Sequence, residues 1–269
     1  MTTIETRASR TGDRASPALL GLLGLLAFGG LLELAPRIGV VPSEFAPPAS
    51  RILGALRGQL DRPEFWVALN SSIRTWMTGL AIAVVAGIVI GVVLGAVPIL
   101  REITASTIEF LRPIPSVALI PLVVLLYPPL RAITVLVVYA AFWQMLVQVL
   151  HGVADIDPVA LDTARSYRLS RWKRIRYVVW PTVLPYAMTG LRLATAVALI
   201  LTVTGEMVIG GSAGLGREIS IAKESNLPAA MYALVVVAGL LGLIANLVTR
   251  TAERRLLRWH QSMRKEIPV

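Results

Sequence analysis

The chain has 269 residues, of which 55% are hydrophobic and 16% are charged, and its mean hydropathy is +0.70. A water-soluble domain cannot bury so large an apolar fraction, so the composition indicates a membrane protein and excludes a soluble domain. The formal net charge of +10 does not indicate nucleic-acid binding, since most basic residues lie at the ends of apolar runs, and the absence of cysteine excludes disulfides, thiol catalysis and cysteine metal sites.

Six apolar segments, each near the ~20 residues that a bilayer requires, predict an all-α polytopic membrane protein with about six transmembrane helices. They cover roughly residues 18–35, 70–97, 106–127, 131–150, 186–210 and 228–249. The first segment follows three arginines and ends without a clean small-residue cleavage site. It is therefore predicted to be an anchor, after an N-terminal tail of residues 1–17, rather than a signal peptide.

Two of the connecting segments have a distinctive composition. Residues 36–69 are rich in proline and contain a short amphipathic stretch, including Leu53 and Leu56, that is expected to lie along the membrane surface. The segment GGSAGLG at 210–216 is expected to be a flexible turn, because it lacks the Gly-Lys-Ser or Gly-Lys-Thr ending of a phosphate-binding loop.

Glycine and proline mark the second and third spans. Gly87, Gly91 and Gly95 recur at four-residue spacing, a ridge of small residues that permits close helix packing. The ridge fits either a dimer or gate interface or ordinary packing within one subunit. The prolines at 113, 115 and 121 predict a kinked third span with carbonyls freed toward a path.

Among the charged residues within the predicted spans, where charges are costly and indicate function, three are singled out. They are Arg112, Arg192 and Glu206, and all three are candidates for a translocation path or gate. For the arginines the alternative is that the side chains reach the cytoplasmic headgroups. For Glu206 the alternative is an ion pair, with Arg112 and Arg192 as candidate partners.

The distribution of Lys and Arg predicts the orientation. With the N-terminus inside, the cytoplasmic segments hold 16 of these residues and the outer segments hold 7. The positive-inside rule therefore places both termini, the basic C-terminal tail of residues 250–269 and the segment 151–185 in the cytoplasm.

Segment 151–185 is a charged insert between the fourth and fifth spans. It is too polar to cross a bilayer and too regularly patterned for a slack loop. One interpretation is that the insert is the binding site of a soluble partner. The other is a pair of interfacial helices whose basic residues only fix the topology.

Two short helices are predicted within this insert. Asp157 followed by Pro158 favours a helix start, and the first helix is expected to run to about Arg168. Ser170 favours the N-cap of a second helix at 171–180. Two prolines, Pro181 and Pro185, are expected to break this second helix.

The insert resembles a known family. Asp162-Thr163-Ala164, with Ser170 and the two later prolines, is similar to the EAA loop of binding-protein-dependent ABC importer permeases. Other stretches resemble the nitrate/sulfonate/taurine branch of that family, and they lie at 71–96, 111–126, 184–194, 205–216 and 253–259. The similarity extends over about residues 45–260.

Two residues depart from the pattern of this loop. Asp162 replaces the usual Glu and keeps the charge on a shorter arm. Arg168 stands where the family has Gly, so the tight turn at that position is expected to be lost, because a residue with a Cβ adopts left-handed angles only at a cost of about 1 kcal/mol or more.

The resemblance implies a six-span permease in which residues 70–249 form the core and the insert contains a coupling helix. Its partners would be a cytoplasmic ABC ATPase dimer, a second permease copy or paralogue, an extracytoplasmic solute-binding protein and membrane lipid, in a bacterial inner membrane. The residues predicted to contact the ATPase are Leu161, Asp162, Ala164, Arg165, Arg168, Leu169 and Ser170.

No residue pattern predicts a cofactor, a metal site or catalysis in this chain. None of the three lysines follows a glycine, so the chain has no Walker A motif, and ATP and Mg²⁺ are expected on the partner ATPase. His151 and His260 are far apart and have no ligand-like spacing. We therefore predict a transport subunit and not an enzyme.

The predicted function is inward transport of a small solute, energised by a separate ATPase. By resemblance the leading solutes are taurine and other sulfonates, nitrate and similar oxyanions, and the same branch includes permeases for pyrimidine vitamin precursors. A secondary carrier driven by an ion gradient is a second candidate, although no convincing internal repeat is found. A membrane-embedded enzyme would need a cluster of reactive groups, whereas Glu206 stands nearly alone.

Overall fold

The computed structural model describes residues 17–211 and 213–259, and within these ranges the regular structure is helical. Predictions for the N-terminal tail before residue 17, for Ser212, and for the end of the C-terminal tail with His260 lie outside the described residues. The α-helices are α1 Pro17–Arg37, α2 Ala49–Leu60, α3 Pro63–Ala96, α4 Pro98–Leu111, α5 Ile120–Leu126, α6 Pro129–Ala154, α7 Pro158–Ser166, α8 Arg171–Arg174, α9 Trp180–Ile209, α10 Leu215–Glu224 and α11 Pro228–Leu256.

Five helical stretches of the described residues are long and apolar enough to cross a membrane. They are Leu19–Arg37, Pro63–Ala96, Pro129–Ala154, Arg171–Ile209 and Pro228–Leu256. A sixth span exists if α4 and the segment Ser116–Leu126 are counted together, although they meet at an angle of 83°. The prolines at 113 and 115 lie in this break, where missing amide hydrogens and ring clashes prevent a continuous helix.

Two helices extend beyond the predicted spans. Helix α3 begins at Pro63, so residues 63–69 of the predicted outer loop are helical, with proline at the first helical position. Helix α11 continues to Leu256, so the first part of the predicted basic tail is helical.

The central core lies where α3, α6 and α9 pack together. Its fully buried members include Ala83, Leu136 and Ala198. The glycine ridge of α3 faces α6 of the same chain: a Cβ on Gly87 or Gly91 would lie 2.6–2.7 Å from the side chain of Met145 or Val149, respectively. Gly95 lies equally close to Val153. The small residues therefore bring α3 against α6 within one subunit.

A second apolar cluster closes the end of the bundle that contains α10, which we name the α10 end. Phe65 of α3, Leu215 and Ile219 of α10, and Leu234 of α11 are buried there, and Leu56 of α2 packs on them. Helix α1 is different, since its apolar side chains are exposed and it joins the rest through α2. The Glu33 carboxylate accepts hydrogen bonds from the Ser50 backbone N–H (2.8 Å) and hydroxyl (2.9 Å).

The opposite end of the bundle, the α7 end, contains the charged insert. The prediction that the two prolines break its second helix is wrong: helix runs without interruption from Arg171 to Ile209. Residues Ile175–Val179 form a π-helical turn in which the Trp180 amide donates to the Ile175 carbonyl, five residues earlier. This wider turn changes the hydrogen-bond register just before Pro181, and Pro185 lies inside α9 without a break in the helix.

Candidate functional site

Helix α7 is a short, capped and largely polar helix between two long spans. The Asp157 side chain accepts a hydrogen bond from the Val159 amide at 2.8 Å, which confirms the predicted N-cap. Ala164 is buried, whereas Asp162 and Arg165 are exposed and form an ion pair of 2.8 Å with each other. Helix α7 therefore faces the bundle with the small residue Ala164 and carries charged side chains on its exposed surface.

Arg168 adopts left-handed backbone angles, with φ of +51°. The Arg168 amide donates to the Arg165 carbonyl (2.8 Å) and the Leu169 amide donates to the Ala164 carbonyl (3.0 Å). This pair of bonds is the Schellman arrangement that ends many helices. The expected loss of the tight turn is wrong: the turn is present, because two backbone hydrogen bonds hold Arg168 in a conformation that glycine would adopt more easily.

The second helix of the insert begins as predicted, since the Ser170 hydroxyl accepts from the Lys173 amide at 3.4 Å. Exposed side chains surround this junction and include Tyr167 and Trp172, which lie beside the ATPase-contact candidates Asp162, Arg165 and Arg168. We call these five residues the α7 surface. Leu161 and Leu169 are half-buried beneath it.

At the α10 end, Glu206 is almost fully enclosed, with 2% of its surface exposed. Both carboxylate oxygens lie within 2.7–2.8 Å of the Ser72 hydroxyl of α3, and Oε2 accepts from the Gly216 amide at 3.0 Å. The Ser72 oxygen in turn accepts from the Leu215 amide at 2.8 Å. The free amides at the start of α10 are thus capped by side chains from two other helices.

Gly214 and Gly216, beside this cap, have no room for a side chain, because the Glu206 side chain lies against them. A Cβ on Gly214 would lie 2.7–2.8 Å from the Glu206 oxygens, and one on Gly216 would lie 2.7 Å from the Glu206 Cβ and 2.9 Å from the Met207 nitrogen. The segment 214–216 is therefore a close-packed contact, and its description as a flexible turn is wrong for these residues. The signal present in the sequence was the Gly-Leu-Gly at the start of α10.

The three charged candidates in the spans lie apart from one another. Glu206 makes no ion pair with Arg112 or Arg192 in the described structure. Arg192 precedes Glu206 by 14 residues on the same helix, which corresponds to about 21 Å. Arg192 instead lies 3.6 Å from Glu253 of α11, a residue that the sequence analysis assigned to the tail.

Two openings contain the arginines. Arg192 lines a groove of about 650 Å³ between α9 and α11. Arg112 is exposed after the last residue of α4 and lines a smaller cleft of about 260 Å³ beside α6, together with Arg101, Glu109 and His151. Among residues 17–211 and 213–259, no group of three or more His, Cys, Asp or Glu side chains is arranged to hold a metal ion.

Comparisons with known proteins give the family. Residues 83–258 match the family described as binding-protein-dependent transport system inner membrane component. The chain is 30% identical over 223 residues to the taurine transport system permease protein TauC of Escherichia coli (strain K12), covering 80% of each chain. It is also 30% identical to the bicarbonate transport system permease protein CmpB of Synechococcus elongatus, over 75% of this chain and 73% of the relative.

One more distant relative and one solved structure are also similar to this chain. The nitrate import permease protein NrtB of Leptolyngbya laminosa is 27% identical over 69% of this chain and 66% of its own length. Inward-facing structures of the MetNI methionine ABC transporter have the same fold, with a TM-score of 0.53 and 19% identity over 72% of this chain and 98% of that chain. The match over residues 83–258 and the identity to TauC show that the chain belongs to the binding-protein-dependent transport system inner membrane components.

Proposed function

We propose that this chain is the membrane-spanning subunit of an ATP-driven importer and that the α7 surface is where a cytoplasmic ATPase binds. The observation that supports this most directly is α7 itself. A capped helix with an exposed ion pair and exposed aromatic residues extends from the bundle between two long spans. A chain that only had to cross the membrane has no need for such an element.

The structure offers a path by which movement of α7 would reach the spans. From α7 the chain passes through the turn at Arg168 directly into the rod Arg171–Ile209, which begins beside α7 and ends beside α10. A partner that pulled on α7 would therefore displace a span whose other end holds the Glu206 contact. Movement of α7 would in this way convert ATP-dependent closure of the ATPase dimer into movement of the spans that line the solute path.

The solute class follows from the relatives and from the charges. Relatives are named as permeases for taurine, bicarbonate and nitrate, which at neutral pH carry an anionic group. The carboxylate that would repel an anion, Glu206, is enclosed by α3 and α10, whereas Arg192 lines an open groove. We infer that the transported solute is a small anion or a small molecule with an anionic group, delivered by an extracytoplasmic binding protein.

Substitution of Asp162 by Lys tests the assignment of the α7 surface. We expect it to remove the Asp162–Arg165 pair and to reverse the charge at this position of the surface, so that the ATPase no longer co-purifies with the permease while membrane insertion is unchanged. The measurement is the amount of ATPase recovered per permease after mild detergent extraction.

Glu64→Lys is the matched control, because Glu64 is also an exposed carboxylate near an arginine but lies at the α10 end. It is expected to leave ATPase recovery unchanged. Equal recovery of the ATPase with Asp162→Lys and with the unmodified chain would contradict the assignment, as would the absence of any ATPase from the unmodified complex.

A further inference from the structure

The groove between α9 and α11 is apolar over most of its lining but contains a few polar side chains. Leu, Ile, Val, Ala and Gly form most of its walls, and the charged residue among the described lining residues is Arg192. Asn246 and Thr249 of α11 lie in the same groove. The groove therefore suits a ligand that has both an apolar part and one negatively charged group.

The polar side chains argue against a lipid-filled groove. Asn246 is exposed on α11, and the Arg192 side chain is 45% exposed. A cation or an amide turned toward hydrocarbon within a span is unfavourable, so these groups are expected to face water or a solute. The hydroxyls of Thr195 and Thr249 donate to carbonyls of their own helices at 2.6 and 2.9 Å, so the candidate donors to a ligand are the other polar lining residues, Arg192, Asn246 and Thr204.

Glu253 holds Arg192 only weakly. The contact is one Nη1–Oε2 distance of 3.6 Å, longer than a normal hydrogen bond, and Glu253 is not among the residues that line the groove. A guanidinium has five N–H donors, so most of them are not used by this contact. Glu253 thus acts as a nearby counter-ion that an incoming anion can replace at the guanidinium.

We propose that the α9–α11 groove is a wall of the solute path and that Arg192 binds the anionic group of a small organic anion, such as an alkyl sulfonate, while the apolar walls contact its carbon chain. This inference rests on the proposed function and adds the chemical class of the solute and the residue that selects it. The apolar walls favour an organic anion over a compact inorganic one, because nitrate or bicarbonate has no alkyl surface to bury there.

The test uses the absence of native cysteine. Single cysteines at Ala196 and at Asn246, both in the groove lining, are treated with an anionic and a cationic methanethiosulfonate reagent in permeabilised membranes containing the intact transporter. Each rate is divided by the rate of the same reagent with free cysteine in solution. Leu247→Cys is the control, because Leu247 is exposed on α11 but is not among the groove residues.

We expect the groove cysteines to react about tenfold faster with the anionic reagent, because Arg192 attracts it through a poorly screened environment. Adding Arg192→Gln is expected to abolish that preference, and adding Glu253→Gln is expected to increase it. The Leu247→Cys control is expected to react with neither reagent. Groove cysteines that are inert to both reagents, or a preference that survives Arg192→Gln, would overturn the proposal.

A competition experiment tests the solute class. Saturating 1-propanesulfonate is expected to slow the labelling of Ala196→Cys at least about fivefold more than the same concentration of nitrate, because of the added apolar contact. Equal protection by the two anions, or none from either, would overturn the assignment to an organic anion. These rates do not depend on ATPase recovery, so absence of the ATPase from the unmodified complex would contradict the proposed function alone.

Discussion

At the scale of single residues, the structure shows how one unfavourable conformation is retained. Arg168 keeps the left-handed turn that its side chain disfavours, because the Schellman hydrogen bonds to Arg165 and Ala164 hold the backbone. The sequence identified the position as unusual. It did not show the outcome, since two backbone hydrogen bonds outweigh a local preference of about 1 kcal/mol.

Replacement of Arg168 by Gly is expected to stabilise α7 by about 1 kcal/mol, because glycine adopts positive φ without a Cβ clash. Hydrogen exchange of the α7 amides measures this effect and should slow by about fivefold. Arg168→Ala is the control, since it removes the charge but keeps the Cβ. A similar slowing in both variants would show that the charge, and not the backbone angle, limits α7.

At the scale of elements, the rod Arg171–Ile209 and the cap of α10 form one connected unit. Glu206 near the end of the rod and Ser72 of α3 together cap the first amides of α10. The sequence predicted the helix starts that are capped by a residue next to them in the chain, such as those capped by Asp157 and Ser170. It missed the cap of α10, because Ser72 and Glu206 are separated by 134 residues and the N-cap position itself is a glycine.

Gly216→Ala is expected to destabilise this unit by about 3 kcal/mol, because its Cβ would meet the Val203 carbonyl, the Met207 amide nitrogen and the Glu206 Cβ, none of which is the end of a flexible side chain. Thermal unfolding of the purified transporter measures the change as a lower Tm. Gly239→Ala is the matched control, since no atom lies within 4 Å of a Cβ at that helical position. Equal Tm values for the two variants would contradict the close contact.

At the scale of the whole molecule, the orientation in the membrane rests on the charge distribution. The α7 end contains the basic insert and the last turn of α11 with Arg254 and Arg255, whereas the α10 end has fewer cations. The positive-inside rule therefore predicts that the α7 end is cytoplasmic.

Single cysteines test this orientation, since the chain has none of its own. Tyr167→Cys at the α7 end is expected to react with a membrane-impermeant maleimide only after cells are lysed, and Leu227→Cys at the α10 end is expected to react in intact spheroplasts. Labelling of Tyr167→Cys in intact spheroplasts would reverse the orientation and would also remove α7 from the reach of a cytoplasmic ATPase.

The sequence by itself determined the membrane class, the approximate spans and the helix caps of the insert, and it determined the family resemblance that the comparisons confirm. These features depend on apolar length and on contacts between near neighbours, which a linear pattern contains. Only the tertiary structure decided that the rod continues through Pro181, that Glu206 is enclosed by Ser72 and Gly216, and that Arg192 faces a groove beside Glu253. Each of these depends on helix packing or hydrogen-bond register, which neighbouring residues in the chain do not fix.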